Sequence, residues 1–181
     1  MPFTTHASLT AACTAAQAAA HHVITLVAGL DGHRYYLVTS TPDLGATAPY
    51  VHGAVAGQSA HAEMHFICDW PEILRDFRTS AGRLPKRCEL FLSHSPCRNE
   101  DDRASPPMTV SGVDYGTSCK DKLTLFFRKN GSIRFSLRYW LRFASAEAIT
   151  GEQLRANFGE LDFGRMTPEN NYGNPLPRIT A

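Results

Sequence analysis

The sequence predicts a single α/β domain whose central sheet contains parallel strands and has helices on its faces. The chain has 181 residues, which fits one domain of about 100–200 residues. Hydrophobic residues make up 43% and charged residues 19%, which excludes a largely disordered chain. Segments typical of strands alternate with segments of helical periodicity, as in sheets with parallel strands.

The N-terminal part predicts a helix followed by a β-hairpin. The alanine-rich segment Ser8–His22 favours a helix. Val23–Leu30 and His33–Thr39 are apolar, and the Asp-Gly pair between them is a strong hairpin signal. Ser40–Gln58 is rich in proline, glycine, alanine and threonine and predicts a loop.

The middle of the chain predicts a helix, a buried strand and a polar insertion. Apolar residues recur at helical spacing over His61–Phe77, and Pro71 predicts a kink or an early stop there. Cys88–Leu92 is short and largely apolar, as in a buried parallel strand. Ser95–Thr117 is polar and predicts an insertion.

The C-terminal part predicts a helix, a strand, a second helix and a tail. Ser118–Lys129 begins with a capping-box-like serine and ends at an Asn-Gly pair. Ile133–Phe143 alternates apolar and polar residues, which predicts a strand. Ser145–Phe158 predicts a helix, and the proline-containing residues 159–181 predict mostly loop.

Charge and composition exclude several classes of protein. The net charge is +1, so any binding of nucleic acid must come from a local basic patch. No stretch approaches the roughly 18 apolar residues of a membrane helix, and no signal peptide is predicted. Five cysteines are an odd number, which favours reduced thiols over a disulfide framework. We therefore expect a cytoplasmic protein without a membrane segment.

Three segments at strand-to-helix transitions contain residues that suit a metal site. His61 and Glu63 begin one predicted helix, Cys97 follows a predicted strand, and Cys119 begins the next helix. One histidine and two cysteines are the ligands of a catalytic zinc whose fourth position stays open for water. Such a site activates water near neutral pH, and Glu63 would then transfer protons. Residues i and i+2 do not share a face on a regular helix, so His61 and Glu63 can meet at one site only if that site lies beyond the helix N-terminus.

The order of these residues matches the zinc-deaminase signature His-x-Glu…Pro-Cys-x-x-Cys, with one departure. Glu100 stands where the second cysteine is expected, and Cys119 comes 22 positions after Cys97. A long loop between two ligands adds little closure entropy, so Cys119 is the predicted third ligand. Glu100 is the alternative, because a carboxylate also binds zinc.

Other cysteines and a basic stripe have a structural and a functional interpretation. Cys88 lies among apolar residues of its strand and is predicted to be a core thiol, and Cys13 and Cys68 are predicted to be core residues as well. Basic residues fall on one face of the predicted strand Ile133–Phe143. They mark either an exposed sheet face or a track for a phosphate backbone. The stripe consists of Arg134, Arg138 and Arg142.

Four stretches of about residues 20–158 carry a family resemblance. They contain the His-Ala-Glu helix start, a Ser-His-Ser-Pro-Cys segment, the helix that begins at Cys119, and the strand with its aromatic residues. The chain resembles the AID/APOBEC branch of the cytidine-deaminase-like superfamily and the bacterial toxin deaminases similar to it. The stretches are His61–Phe66, Ser93–Cys97, Cys119–Gly131 and Phe135–Arg142.

The resemblance implies a cytidine-deaminase-like fold with a mixed sheet of about five strands and helices on both faces. One deaminase domain would span residues 1–181, with a core of about 8–158, an insertion at 98–118 and a tail at 159–181. The implied zinc ligands are His61, Cys97 and Cys119, with Glu63 as proton shuttle. The implied substrate-binding residues are His94, Ser95, Tyr139, Trp140 and Arg142.

The resemblance also implies an activity, which is the hydrolysis of cytosine to uracil. Single-stranded DNA is the favoured substrate, and a bacterial toxin or effector would have an immunity protein as a partner. The alternatives are deamination of RNA or of free cytidine, and a non-catalytic zinc-containing binding module. The insertion would wall the pocket, shape substrate entry or contact a partner.

Overall fold

The computed structural model describes residues 3–19, 23–40, 60–99, 104–141 and 167–168. Within these residues the chain forms eight strands and three helices. The strands are β1 (Phe3–His6), β2 (Thr25–Leu30), β3 (Arg34–Thr39), β4 (Arg87–His94), β5 (Met108–Val110), β6 (Val113–Tyr115), β7 (Arg134–Leu141) and β8 (Thr167–Pro168). The helices are α1 (Leu9–Ala19), α2 (Ala62–Ala81) and α3 (Cys119–Lys129).

Six of the strands form one mixed sheet in the order β1-β3-β2-β4-β7-β8. The pair β4–β7 is parallel, and the other neighbours within this sheet are antiparallel. Strands β5 and β6 form a separate hairpin. The predicted α/β class with a parallel-containing sheet is therefore confirmed.

The two faces of the sheet pack against different helices. Alternate strand residues such as Leu26, Leu90 and Leu137 join a core with the apolar residues of α2 and α3. Helix α1 contacts β2 and β3 and buries Ala12 and Ala16. The side chains of opposite parity on β2 and β3 face α1, so helices cover both faces.

An aromatic cluster holds the middle of α2 and the body of α3 together. Trp70 lies 5.3 Å from Phe126 between ring centroids, and Phe127 stacks on Phe135 at 4.5 Å. The Trp70 indole nitrogen donates to Asn130 Oδ1 at 3.0 Å. Edge and stacked aromatic contacts each add about 0.5–1.5 kcal/mol beyond area burial, so the two helices keep a fixed relative position.

The structure corrects the expectation for Pro71, which lies inside α2. The helix does not stop early but continues to Ala81 and ends at Gly82, whose φ of 69° is left-handed. Proline removes one helical hydrogen bond and costs about 3 kcal/mol or more in a helix interior. The buried side chains Ile73 and Phe77, two and six residues later, offset that loss.

Four further strands, β1, β5, β6 and β8, were not predicted. Strand β1 has a single buried apolar residue, Phe3, so it lacks a recognisable alternation. The insertion contains the β5–β6 hairpin, whose tight turn includes Gly112 at a φ of 74°. Strand β8 lies in the predicted tail and has only two residues. The predicted helix Ser145–Phe158 lies outside the described residues.

No helix in the described ranges is both long enough and apolar enough to cross a lipid bilayer.

Candidate metal centre

Three chain segments bring His61, Cys97 and Cys119 together. His61 is the N-cap of α2, Cys97 follows β4, and Cys119 is the first residue of α3. Their ligand atoms all lie within 4.8 Å of one another, and all three residues are buried. The structure therefore assembles the predicted ligands at the carboxyl end of β4, where open α/β sheets bind ligands.

The spacing of the ligand atoms fits a tetrahedral ion. His61 Nδ1 lies 3.4 Å from Cys119 Sγ. Metal–sulfur bonds of about 2.3 Å and metal–nitrogen bonds of about 2.0 Å place tetrahedral ligand atoms roughly 3.5–3.8 Å apart. The three side chains can therefore hold a metal ion with little rearrangement.

Main-chain amides stabilise the Cys97 sulfur as a thiolate. The amides of Cys119 and Ser105 donate to Cys97 Sγ at 3.1 Å and 3.3 Å. Hydrogen bonds from the Cys119 side chain and amide, together with nearby His61, lower the pKa of Cys97 despite its burial. Burial and the neighbouring Cys97 raise the pKa of Cys119. Cys97 therefore ionises first, as a metal ligand requires.

Lys122 and Ser105 form a buried polar support that the sequence analysis missed. Neither side chain is exposed. Lys122 Nζ donates to Ser105 Oγ at 2.9 Å and to the Gly116 carbonyl at 2.7 Å, as well as to the carbonyls of Ser105 and Ser118. Ser105 Oγ lies 3.3 Å from Cys119 Sγ. Lys122 follows Cys119 by three residues, so it lies on nearly the same side of α3, and that spacing is the sequence signal.

The Lys122 ammonium balances charge at the site. A lysine is almost never fully buried unless it is paired, and Lys122 has no ion pair with a carboxylate in the described ranges. Burial lowers its pKa, while Cys119, Cys97 and Glu63 raise it again. A divalent ion, two thiolates, one glutamate and one ammonium sum to zero charge.

The insertion forms one wall of the site. Ser105 contacts both sulfurs, and its carbonyl accepts the Ser118 amide at 3.0 Å. Ser118 has a φ of 65° and a ψ of 144°, a strained combination that costs about 1–3 kcal/mol for a residue with a side chain. The Ser118 side chain caps α3 by accepting the Asp121 amide at 3.2 Å. Of the three roles considered for residues 98–118, the wall is the one that these contacts support.

Glu63 lies beside the ligands in the first turn of α2. It is buried, and no group in the described structure donates a hydrogen bond to its Oε2 atom. Burial raises the pKa of Glu63 to about 7, although His61 acts in the opposite direction. An unpaired buried carboxylate oxygen costs free energy, and such groups are typical of functional sites.

Two of the residues predicted to bind substrate, His94 and Ser95, lie near the same end of the sheet. His94 ends β4, and Ser93 Oγ lies 3.1 Å from its Nδ1 atom. Burial lowers the pKa of His94 to about 4, so its ring is neutral at pH 7. Ser95 is buried and lies two residues before Cys97. Contact of either residue with a substrate stays a prediction.

The aromatic residues predicted to bind substrate lie on a strand, as the prediction for Ile133–Phe143 implies. Tyr139 and Trp140 lie within β7, and the β4–β7 ladder extends to the His94–Leu141 pair. Tyr139 is partly buried against the core. The side chain of Trp140, all of Arg142 and the alternative ligand Glu100 lie outside the described residues.

The remaining cysteines are not part of this cluster. Cys88 is fully buried in the main core, and Cys13 is buried on α1. Cys68 is half-buried on α2. The structure supports the prediction that Cys88 and Cys13 are core thiols.

A scan of models of known protein families finds no match to this chain, and a search of curated proteins finds none either.

Proposed function

We propose that the protein is a zinc-dependent deaminase that converts cytosine to uracil in single-stranded DNA. The observation that carries the proposal is the buried, unpaired Oε2 atom of Glu63 beside a group of one histidine and two cysteines. Structural zinc sites close with four protein ligands, whereas catalytic sites have three. The described residues supply three ligand atoms to this group.

Zinc suits this donor set because it prefers nitrogen and sulfur ligands in tetrahedral geometry. His61, Cys97 and Cys119 would hold the ion, and Lys122 would balance the charge of the two thiolates. When bound, zinc supplies a water molecule activated for nucleophilic attack near neutral pH.

Glu63 would carry the protons of the reaction. Its carboxylate accepts a proton from the attacking water as the oxygen bonds to C4 of cytosine. It then gives that proton to ring nitrogen N3, accepts the second proton from the new hydroxyl group on C4, and passes this proton to the leaving amino group. The C4–N4 bond breaks, so water and cytosine become uracil and ammonia. A residue at the start of α2 reaches these atoms because the site lies beyond the helix N-terminus.

The resemblance to the AID/APOBEC branch supports a base within a single strand. A base in a duplex must first be flipped out, at a cost of a few kcal/mol. A single strand avoids that cost.

The test is uracil formation in an oligonucleotide with one cytosine, offered as single-stranded DNA, duplex DNA and RNA, with free cytidine as a fourth substrate. We expect turnover on single-stranded DNA to exceed turnover on duplex DNA by at least tenfold, which corresponds to about 1.4 kcal/mol of flipping cost. Turnover only on RNA or on cytidine would change the substrate assignment. No turnover on any substrate by zinc-loaded protein would favour a binding module.

We expect Lys122→Met to lower the zinc affinity of the protein by about 10–100-fold, the usual effect of removing a group that supports metal ligands. Methionine fills the space of the lysine side chain but leaves the Gly116 and Ser105 carbonyls without their donor. Competition with a chromophoric chelator measures the affinity.

Lys120→Met is the matched control for this variant. Lys120 lies two residues earlier on α3, and its main-chain amide donates to the Cys97 carbonyl at 3.1 Å, a contact that the substitution leaves intact. Wild-type zinc affinity in Lys122→Met would show that Lys122 only fills space.

A further inference from the structure

A basic groove lies at the end of the sheet opposite the candidate metal centre. The groove has a volume of about 870 Å³. Its cationic residues come from the segment after α2 and from the first residues of β4 and β7, whereas the metal centre follows the last residue of β4. Arg87 and His94 are seven residues apart on β4, which is roughly 23 Å. The cationic residues of the groove are Arg83, Lys86, Arg87 and Arg134.

The one carboxylate in the groove is already saturated. Asp31 accepts the main-chain amides of Lys86 and Arg87 at 3.0 Å and 2.7 Å, and it accepts a hydrogen bond from the Arg83 guanidinium. Burial alone would raise the pKa of Asp31, but the hydrogen bonds from Arg83 and the two amides lower it. Asp31 therefore fixes the wall of the groove and neutralises Arg83, but no other cation.

Two arginines lie side by side without an acidic partner. Arg87 and Arg134 are in-register neighbours on parallel strands, both side chains are exposed, and the Arg134 amide donates to the Lys86 carbonyl at 2.8 Å. Neither arginine has an ion pair in the described structure, and Glu89 on the same strand face pairs with neither. Like charges directly opposite on neighbouring strands are destabilising, and a bound anion would remove that cost.

We infer that this groove binds the phosphate backbone of a single-stranded nucleic acid. Arginine matches phosphate oxygens with two parallel hydrogen bonds. The three cations that have no acidic partner among the described residues can contact successive phosphates. The aromatic residue of the groove, Phe135, is buried in the core and offers no stacking surface for a base. Binding should therefore be independent of base sequence and strongly dependent on salt.

The predicted basic stripe on β7 contributes one residue to this groove. Arg134 is exposed, whereas Arg138 on the same strand face is buried. The exposed cations thus extend sideways from β7 to β4 rather than along β7. The groove would give the proposed single-stranded substrate a second contact. The inference rests on the proposed function only for the identity of that strand.

The test measures binding of a 20-nucleotide oligo(dT) by fluorescence anisotropy at several salt concentrations. We expect the double variant Arg87→Ser/Arg134→Ser to bind more weakly, with a slope of log K against log salt shallower by about 1.4, since each lost contact to a single strand removes about 0.7. The loss should be the same for mixed-sequence DNA and for RNA. Arg87→Lys/Arg134→Lys should restore the slope.

The matched control is Arg75→Ser/Arg78→Ser, which removes two exposed charges on α2 that do not line the groove. An equal change in slope for both double variants would overturn the inference, because the effect would then come from net charge. The inference would also be overturned if thymidine monophosphate bound as tightly as the 20-mer and its binding depended in the same way on Arg87 and Arg134. All four positions are exposed, so each variant should fold like the wild type. Circular dichroism checks the fold of each variant.

Measurements of oligonucleotide binding distinguish a failure of this inference from a failure of the deaminase proposal. Glu63→Gln leaves the groove intact and should bind oligo(dT) with the wild-type salt slope. If the groove variants lose affinity while the wild-type protein deaminates nothing, the groove stands and the deaminase proposal fails. If deamination proceeds but the groove variants bind like the control, the groove assignment fails alone.

Discussion

We expect Glu63→Gln to lower cytosine deamination by about 10⁴-fold or more while the protein keeps its zinc and its fold. General acid–base catalysis by one residue contributes about 10²–10⁴-fold, and Glu63 serves several proton transfers in the proposed reaction. The amide has nearly the same shape as the carboxylate, but it cannot accept a proton from water. The measurement is uracil formation in single-stranded DNA, together with zinc content.

The environment of Glu63 makes the effect specific to catalysis. The carboxylate is fully enclosed and its Oε2 atom has no donor among the described residues, so the substitution breaks no hydrogen bond at that atom. Glutamine at this position removes a buried carboxylate with one unpaired oxygen atom, and we expect the melting temperature to stay the same or rise. A stability–activity trade-off of this kind is typical of catalytic groups.

Glu72→Gln is the matched control on the same helix. Glu72 is partly exposed and lies 3.9 Å from Arg75, so its loss should change the rate by less than about twofold, as exposed ion pairs contribute little. Wild-type turnover in Glu63→Gln would remove Glu63 from the mechanism. Loss of zinc from Glu63→Gln would instead make Glu63 a ligand.

The fold was predictable where local pattern and tertiary packing agree. The alternation of Ile133–Phe143 and the Asp-Gly hairpin signal led to β7 and to the β2–β3 pair. Strand β1 was not predicted because a four-residue strand at a sheet edge needs only one buried side chain, which gives no alternating pattern. The predicted helix His61–Phe77 is confirmed and does not stop at Pro71, because tertiary packing of its buried side chains outweighs the local effect of proline.

The sequence predicted which residues come together as candidate metal ligands, but it did not predict the buried groups that contact them. Histidine, cysteine and glutamate at strand-to-helix transitions carry a chemical signal that the sequence displays directly. Lys122 looks like an ordinary surface residue in the sequence, and only the fold places Ser105 and Gly116 around its ammonium. The Arg87–Arg134 pair was likewise hidden, because the β4–β7 register brings together residues 47 positions apart.

The second large effect concerns Cys119, the proposed ligand whose spacing from Cys97 departs from the zinc-deaminase signature. We expect Cys119→Ala to reduce zinc from about one ion per chain to less than about 0.1 after dialysis, because catalytic zinc needs three protein ligands. Cys119 Sγ lies 3.4 Å from His61 Nδ1, and its amide donates to Cys97 Sγ. The substitution keeps that amide, so the start of α3 should survive and metal loss reports the thiol alone. Metal analysis of the dialysed protein gives the zinc content.

Cys88→Ala is the matched control, since it removes a thiol of equal burial that lies in the core rather than at the metal centre. It should keep its zinc and lose about 1–2 kcal/mol of unfolding free energy from the small cavity. Glu100→Gln should also keep its zinc. Full zinc in Cys119→Ala, with an empty site in Glu100→Gln, would assign the third ligand to the glutamate at the usual cysteine spacing.

Thermal unfolding provides a second readout that does not depend on metal analysis. A ligand that binds only the native state stabilises it by RT ln(1 + [L]/Kd), so a chelator should lower the melting temperature of the wild type and of Cys88→Ala. Cys119→Ala should melt at the same temperature with and without chelator, because it has no bound ion to lose. If a chelator lowered the melting temperature of Cys119→Ala, His61 and Cys97 would bind the metal with another ligand. Cys119, 22 residues after Cys97, would then have no role in metal binding.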